Sequence, residues 1–359
     1  MIYFTPGPSQ LYPTVATHIQ SALDEGFCSI SHRSRRYESI QQMAEENLRA
    51  LMNIPDHFHI FFTSSATEIW DRCIENLVNQ RSFHFVNGSF SERFYTTALQ
   101  MGRDAVSLEA PLGKGFHDLH EIHMHEDNEL ICITHNETST GVVFDHELIS
   151  GLRKQYPDAL IAVDAVSSVP YGKINFSDID TLFFSVQKGF GLPAGLGVWI
   201  CNERCIAKAE SRKAAGKFIG TYHSLPSFLK HSPKHQTPST PNMLAIYLLA
   251  HVSGDMLHTG LSQIEHDTEH KARLIYDFIE NRDGFSPFVK DLRDRSQTVV
   301  VVESAISSKT INEFLKPHEM QIGGGYGPLK EQQFRIANFP AVSTADVERL
   351  LAALSQEIR

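Results

Sequence analysis

Short apolar runs rich in Val, Ile and Phe recur through the first two thirds of the chain, and longer amphipathic stretches separate them. The runs are Phe58–Thr63, Ser82–Asn87, Asp104–Leu108, Leu130–Thr134, Leu160–Asp164, Thr181–Val186 and Gly197–Cys201. Most lack the alternation of a strand with one wet face, so they read as strands covered on both sides. The stretches between them, Thr67–Gln80, Glu92–Met101, Asp118–Glu126, Asp145–Gln155 and Glu203–Ala214, read as helices. Strands separated by helices of this length imply right-handed crossovers, which predicts an α/β fold with a mostly parallel sheet between helices.

The last third reads differently. Long helical patterns at Pro241–Leu257 and Leu261–Asn281 lead to a strand at Thr298–Val302, a helix at Lys309–Lys316 and a short strand near Gln333–Ile336. A closing helix starts at Ser343, with Asp346 completing a capping-box signature. This is the pattern of a smaller α+β domain, joined to the first region by the irregular, Ser/Thr/Pro-rich stretch Ser232–Pro241. With 359 residues, 42% hydrophobic and 21% charged, the chain is an ordinary soluble globular one with room for two domains.

A net charge of −10 disfavours nucleic acid or an anionic membrane as the main partner, while a small anionic substrate needs only two or three local arginines. Cys28, Cys73, Cys132, Cys201 and Cys205 are too few and too scattered to staple this chain, and are expected as reduced thiols, mostly in the core. No apolar stretch reaches the ~18–20 residues that span a bilayer. The N-terminus lacks the basic start and apolar run of a signal peptide. A cytoplasmic protein is expected.

Three segments carry candidate chemistry. The apolar run from Thr181 leads straight into Lys188 and a glycine-bearing loop, Gly189-Phe190-Gly191. A lysine at the mouth of a buried strand loses hydration, which favours the neutral amine and suits it to a Schiff base. A solvated lysine just past a strand has the same local sequence. The run Leu160–Val163 ends in Asp164, and adjacent parallel strands would set Asp164 beside Lys188 at the carboxyl edge of the sheet, where such folds bind ligands. A pyridoxal phosphate site needs such a lysine and an acid against the pyridinium nitrogen, although an ion pair at a strand end looks alike. Phe61–Thr67 runs from a strand into small and hydroxyl residues, with a helix opening at Thr67. Its N–H groups and hydroxyls suit a phosphate, and equally a simple helix cap.

Taken together these segments resemble a class V, fold-type I pyridoxal phosphate aminotransferase over nearly the whole chain. Pro6-Gly7-Pro8 and Ser29-Ile30-Ser31-His32-Arg33-Ser34 are similar to phosphoserine aminotransferases. Asn87–Arg93, Asn136–Val142, and Gly327-Pro328 ahead of Phe334-Arg335-Ile336 are similar to the alanine–glyoxylate/serine–pyruvate group. The resemblance implies a large cofactor-binding domain at 15–245 and a small α+β domain made of 1–14 and 246–359. It implies a ping-pong transaminase of small L-amino acids and 2-oxo acids. Lys188 matches the Schiff-base lysine, which also shuttles the Cα proton, and Asp164 the pyridinium partner. Phe90 falls where an aromatic stacks on the ring, and Val166 on its opposite face. Thr138 matches the ligand of the cofactor's 3′ oxygen. Ser65, Ala66, Thr67 and Gln187 match the phosphate ligands, with Thr237 completing that site from the partner of a homodimer. Arg335 matches the bidentate ligand of the substrate α-carboxylate.

The substrate stays open between phosphoserine and a neutral amino acid such as serine or alanine with glyoxylate or pyruvate. Phosphoserine enzymes usually carry Gly-His-Arg shortly before the carboxylate arginine, where this chain has Gly325-Tyr326-Gly327-Pro328. His32 and Arg33 remain as phosphate ligands, or as a structural pair at the dimer interface. A desulfurase-like lyase is disfavoured by the lack of any cysteine after Cys205, and a non-catalytic DNA-binding regulator by the charge and the lack of a DNA-binding appendage. His117, His120, His123 and His125 read as a solvated helix face, Cys201 and Cys205 as thiols without zinc, and no metal is expected. Gly323-Gly324-Gly325 reads as a mobile loop over the substrate.

Overall fold

The computed structural model describes residues 1–357. Numbered along the chain, the strands are β1 (Ile2–Phe4), β2 (Phe58–Thr63), β3 (Arg81–Val86), β4 (Asp104–Glu109), β5 (Leu130–Thr134), β6 (Asn136–Glu137), β7 (Val142–Val143), β8 (Leu160–Asp164), β9 (Thr181–Ser185), β10 (Gly197–Asn202), β11 (Phe285–Pro287), β12 (Val299–Ser304), β13 (Met320–Gly324) and β14 (Gln333–Ala337). Seven of them form one sheet in the order β2-β10-β9-β8-β5-β3-β4. From β9 to β4 neighbours run parallel, and β10 runs against both β9 and β2.

Alternate side chains of these strands enter two different cores. Ile131, Ile133, Ile161, Val163, Leu182, Phe184, Val198 and Ile200 pack on one face with the helices Arg35–Met52 and Met243–Thr259. Leu130, Cys132, Leu160, Ala162, Phe183, Trp199 and Cys201 pack on the other with the helices Ala66–Leu77, Ser89–Gln100 and Glu203–Ala214. Burial on both faces is why the runs are apolar throughout.

A second sheet, β1-β13-β14-β12-β11, is backed by the helices Leu261–Glu280 and Thr344–Glu357. Its edge strand β1 comes from the N-terminus and pairs in parallel with β13. The closing helix starts as expected: Ser343 N–H and hydroxyl donate to Asp346 Oδ2 at 3.2 and 2.7 Å, and Asp346 N–H donates back to Ser343 Oγ at 3.1 Å.

Two expectations fail. Asp118–Glu126 is not a helix; only Leu119–Glu121 makes a 3-10 turn. The Asp118 side chain takes the His120 N–H and Ile122 N–H closes back on Leu119 O, so the turn ends on itself. His117, His120, His123 and His125 are exposed there but do not share a helix face; His117 reaches Asp294 and His125 reaches Asp127. Gly323 and Gly324 are not loop but lie in β13, paired with Arg335 and Phe334. A Cβ on Gly323 would sit 2.4 Å from Pro6 Cδ, so the glycine is there for close approach of the N-terminal segment.

Candidate active site

The carboxyl ends of β5, β8 and β9 open into a cavity of about 330 Å³, closed by the start of the helix Ala66–Leu77, by β14 and by Pro6-Gly7-Pro8. This is the edge at which parallel sheets bind ligands. Lys188 and Asp164 are both buried in it. Lys188 Nζ donates to Thr138 Oγ1 at 2.8 Å and lies 5.0 Å from the centre of the Phe90 ring. Burial lowers Lys188 from 10.5 to about 8, against the opposing pull of Asp164 and Glu137. Burial raises Asp164 from 3.8 to about 6, although it accepts the Val166 N–H at 3.0 Å and the Trp70 indole N–H at 2.8 Å.

The phosphate-like corner is a helix start. Ser65 is the N-cap of the helix Ala66–Leu77 and its hydroxyl takes the Glu68 N–H at 3.1 Å. Ala66 N–H donates to Ser185 Oγ at 2.7 Å, which ties the helix start to the end of β9. Ala66, Thr67 and Gln187 line the cavity, whereas Ser65 sits just outside it as the cap. The positive end of the helix dipole therefore faces the hollow.

Arg335, on β14, is buried and its Nε and Nη1 donate to Gly324 O at 2.7 Å and Thr138 O at 3.1 Å. Those two bonds fix the guanidinium plane and leave further N–H donors of the fork for a carboxylate. Burial lowers Arg335 from 12.5 to about 10, so it stays charged at neutral pH. Tyr326 stacks on Phe90 with ring centres 5.4 Å apart and lies under the Arg335 guanidinium.

Of the residues expected from sequence, Ala66, Thr67, Phe90, Thr138, Asp164, Val166, Gln187, Lys188 and Arg335 meet around this one cavity. His32, Arg33 and Thr237 do not line it. They gather elsewhere: Arg33 Nη1 donates to Gln236 Oε1 at 2.8 Å, and His32 Nδ1 is 3.3 Å from Thr240 Oγ1. Thr237 is buried in the same stretch, its hydroxyl donating to Ser239 O at 2.7 Å.

Sequence reasoning missed Trp70, Glu137 and Tyr326. Trp70 carries a legible signal, because a tryptophan on the buried face of a helix needs a partner for its N–H. Glu137 shows only as a carboxylate inside an otherwise neutral turn.

The residues fit pyridoxal phosphate on their own chemistry. The buried Asp164 carboxyl is pushed toward its neutral form, which a cationic ring nitrogen would reverse. Thr134 Oγ1, at the cavity wall, is buried without a hydrogen-bond partner among the described residues.

Sheet order, cofactor-sized cavity and lysine–aspartate pair define a fold-type I aminotransferase. Residues 1–328 match the family described as aminotransferase class-V, and the chain belongs to it. A putative phosphoserine aminotransferase of Mycolicibacterium paratuberculosis is 29% identical, over 97% of this chain and 92% of that protein. Among solved structures, a phosphoserine aminotransferase from Cytophaga hutchinsonii is 50% identical with a TM-score of 0.98, covering 100% of this chain and 99% of that one. An alanine–glyoxylate aminotransferase from Nostoc has a TM-score of 0.87 at 21% identity, over 100% of this chain and 95% of that one, which is likeness of fold.

Proposed function

We propose that this class V transaminase uses pyridoxal phosphate in the Lys188 cavity to move an amino group between phosphoserine and a 2-oxo acid. The observation that carries the substrate is the full-length likeness, at 50% identity, to a phosphoserine aminotransferase. When bound, the cofactor supplies a carbonyl carbon for amine exchange and a ring that takes up the electrons of the substrate Cα–H bond.

The residues divide the rest of the work. Lys188 Nζ, near neutrality through burial, holds the cofactor and then takes the proton from substrate Cα. Asp164 holds the ring nitrogen protonated, with Trp70 and Val166 fixing the carboxylate from behind. Phe90 and Val166 would pack on the ring faces, Thr138 would bond the 3′ oxygen, and Ala66, Thr67 and Gln187, which line the cavity at the helix start, would hold the phosphate. Arg335 orients the substrate by its α-carboxylate.

The homodimer belongs to the same reading. His32, Arg33 and Thr237 cluster away from the cavity of their own chain, which supports their serving the cavity of a second copy, Thr237 at the cofactor phosphate and His32 with Arg33 at the substrate phosphate. The reading also takes 15–245 as the cofactor-holding body and 1–14 with 246–359 as the smaller one; the pairing of β1 with β13 supports it, while the helix Met243–Thr259, which crosses residue 245, packs with the larger sheet. Small-molecule partners and the cytoplasm fit the charge of −10 and the five free thiols. Among the described residues no helix is long and apolar enough to cross a membrane.

A neutral amino acid such as serine or alanine, with glyoxylate or pyruvate, is favoured by one observation: Lys188 and Arg335 are the cations that line the cavity, and Tyr326 stands beside Arg335. The deciding experiment is the half-reaction of the holoenzyme with phosphoserine, serine, alanine and glutamate in turn, followed by cofactor absorbance. Phosphoserine is expected to react fastest. A faster reaction with serine or alanine would transfer the enzyme to the second reading.

A further inference from the structure

The helix Ser89–Gln100 begins after Gly88, which has no side chain to accept the N–H groups of its first turn. Glu137, from the hairpin β6–β7, takes that place. Its Oε2 accepts the N–H groups of Phe90 at 3.1 Å and Ser91 at 2.9 Å and lies 2.9 Å from the Ser91 hydroxyl. Its Oε1 accepts the Ser139 N–H at 3.0 Å and the Ser139 hydroxyl at 2.6 Å. The residue is wholly buried. A Cβ on Gly88 would come 2.4 Å from Glu137 Cγ, so glycine there leaves room for the carboxylate.

This one carboxylate joins two cavity walls. Phe90, whose N–H it holds, puts its ring 5.0 Å from Lys188 Nζ. Thr138, its direct neighbour, accepts from Lys188 Nζ and, through its carbonyl, from Arg335. The carboxylate sits at the positive end of the helix dipole.

We propose that Glu137 is a positioning residue of the transamination site: it locks Phe90 and Thr138 in mutual register and places a fixed negative charge beside Lys188 and Arg335. The proposal rests on Lys188 being the cofactor lysine. The charged groups facing Lys188 are Asp164 from β8, Glu137 from β6 and Arg335 from β14; the two carboxylates favour its protonated form and Arg335 opposes it.

The test is Glu137→Gln in the holoenzyme, with the pH titration of cofactor absorbance read beside steady-state kinetics and melting. The amide keeps the shape and removes the charge, so the titration midpoint is expected to fall by about one pH unit. Turnover is expected to drop about tenfold with no rise in KM, as for a lost alignment and not a lost binding contact. A purely structural residue would lower the melting temperature and leave the midpoint in place. A folded Glu137→Gln enzyme that titrates at the wild-type midpoint overturns the proposal. If that variant does not fold, Ser139→Ala, which keeps the carboxylate and removes the hydroxyl that donates to it and accepts the Ser89 N–H, is expected to keep the midpoint and lose turnover several-fold; wild-type turnover in it overturns the proposal. The midpoint comparison needs no substrate, so a wild-type enzyme that binds cofactor but turns over none of the amino acids would count against the proposed function alone.

Discussion

Burial moves Asp164 and Lys188 toward neutrality from opposite sides, Asp164 up to about 6 and Lys188 down to about 8. Asp164 is raised above its unfolded value, so its contribution to stability is present below about pH 4 and lost as pH rises through 6. Lys188 is lowered, so its contribution is present above its unfolded value and lost as pH falls through 8. Near neutrality both oppose folding of the cofactor-free protein, and a cationic ring bound beside Asp164 would offset the first. A rise from 3.8 to about 6 corresponds to about 3 kcal/mol. Relative to wild type, cofactor-free Asp164→Asn is therefore expected to lose about 2–3 kcal/mol between pH 7.5 and pH 4, measured by chemical denaturation. A gap that stays constant with pH would show that Asp164 is not titrating in a buried site. Lys188→Ala should lose about 10⁴-fold in turnover, and transamination at the wild-type rate would remove the lysine from the mechanism. Gly7 adopts φ +149°, and a Cβ there would touch Lys188 Cε at 3.0 Å. Gly7→Ala is expected to cost about 10–100-fold in kcat by shifting the lysine, and a wild-type kcat would show that Lys188 tolerates the push.

Among the elements, the helix Ala66–Leu77 opens onto the cavity, and two strands set its position. The end of β9 holds it through Ser185, and β10 lies against its cap: a Cβ on Gly197 would sit 2.5 Å from the Ser65 carbonyl carbon. Backbone cannot yield as a flexible side chain does, so Gly197→Ala should displace the helix start. The expected cost is about 1–3 kcal/mol of stability. Cofactor titration should also show weaker binding, and an unchanged affinity would separate this helix from phosphate binding. The large-sheet strands were legible within about a residue, β2, β5 and β8 to the residue, because burial on both faces demands unbroken apolarity. The strands β1, β11 and β13 were not, being three, three and five residues long with no period to read, β13 ending in two glycines of which Gly323 makes room for Pro6.

Across the whole molecule, the N-terminal segment ties the two sheets together over the active site. It leaves the smaller sheet at β1, passes Lys188 at Gly7, and bonds to the lysine loop through Ser9 N–H to Gln187 O at 3.0 Å and Tyr12 N–H to Gly191 O at 2.8 Å. The other whole-molecule question is whether two copies share their sites. If His32 and Arg33 serve the cavity of a second copy, Arg33→Ala and Lys188→Ala enzymes, each inactive on phosphoserine, should regain about a quarter of wild-type activity when refolded together, since half the dimers then hold one complete site. No recovery in mixed dimers would return Arg33 to a structural role. The sequence by itself determined the α/β class and singled out Lys188, Asp164 and the helix start after Ser65, because each is written locally at the end of an apolar run, whereas Arg335 was marked only by the family resemblance. Only the tertiary structure decided that Trp70 grips Asp164 across 94 residues, that Glu137 caps a helix 46 residues before it, and that His32 and Arg33 stand apart from their own cavity. The physical reason is that hydrogen bonds and burial depend on which surfaces meet once the chain is packed, and no local pattern encodes a contact made between distant segments.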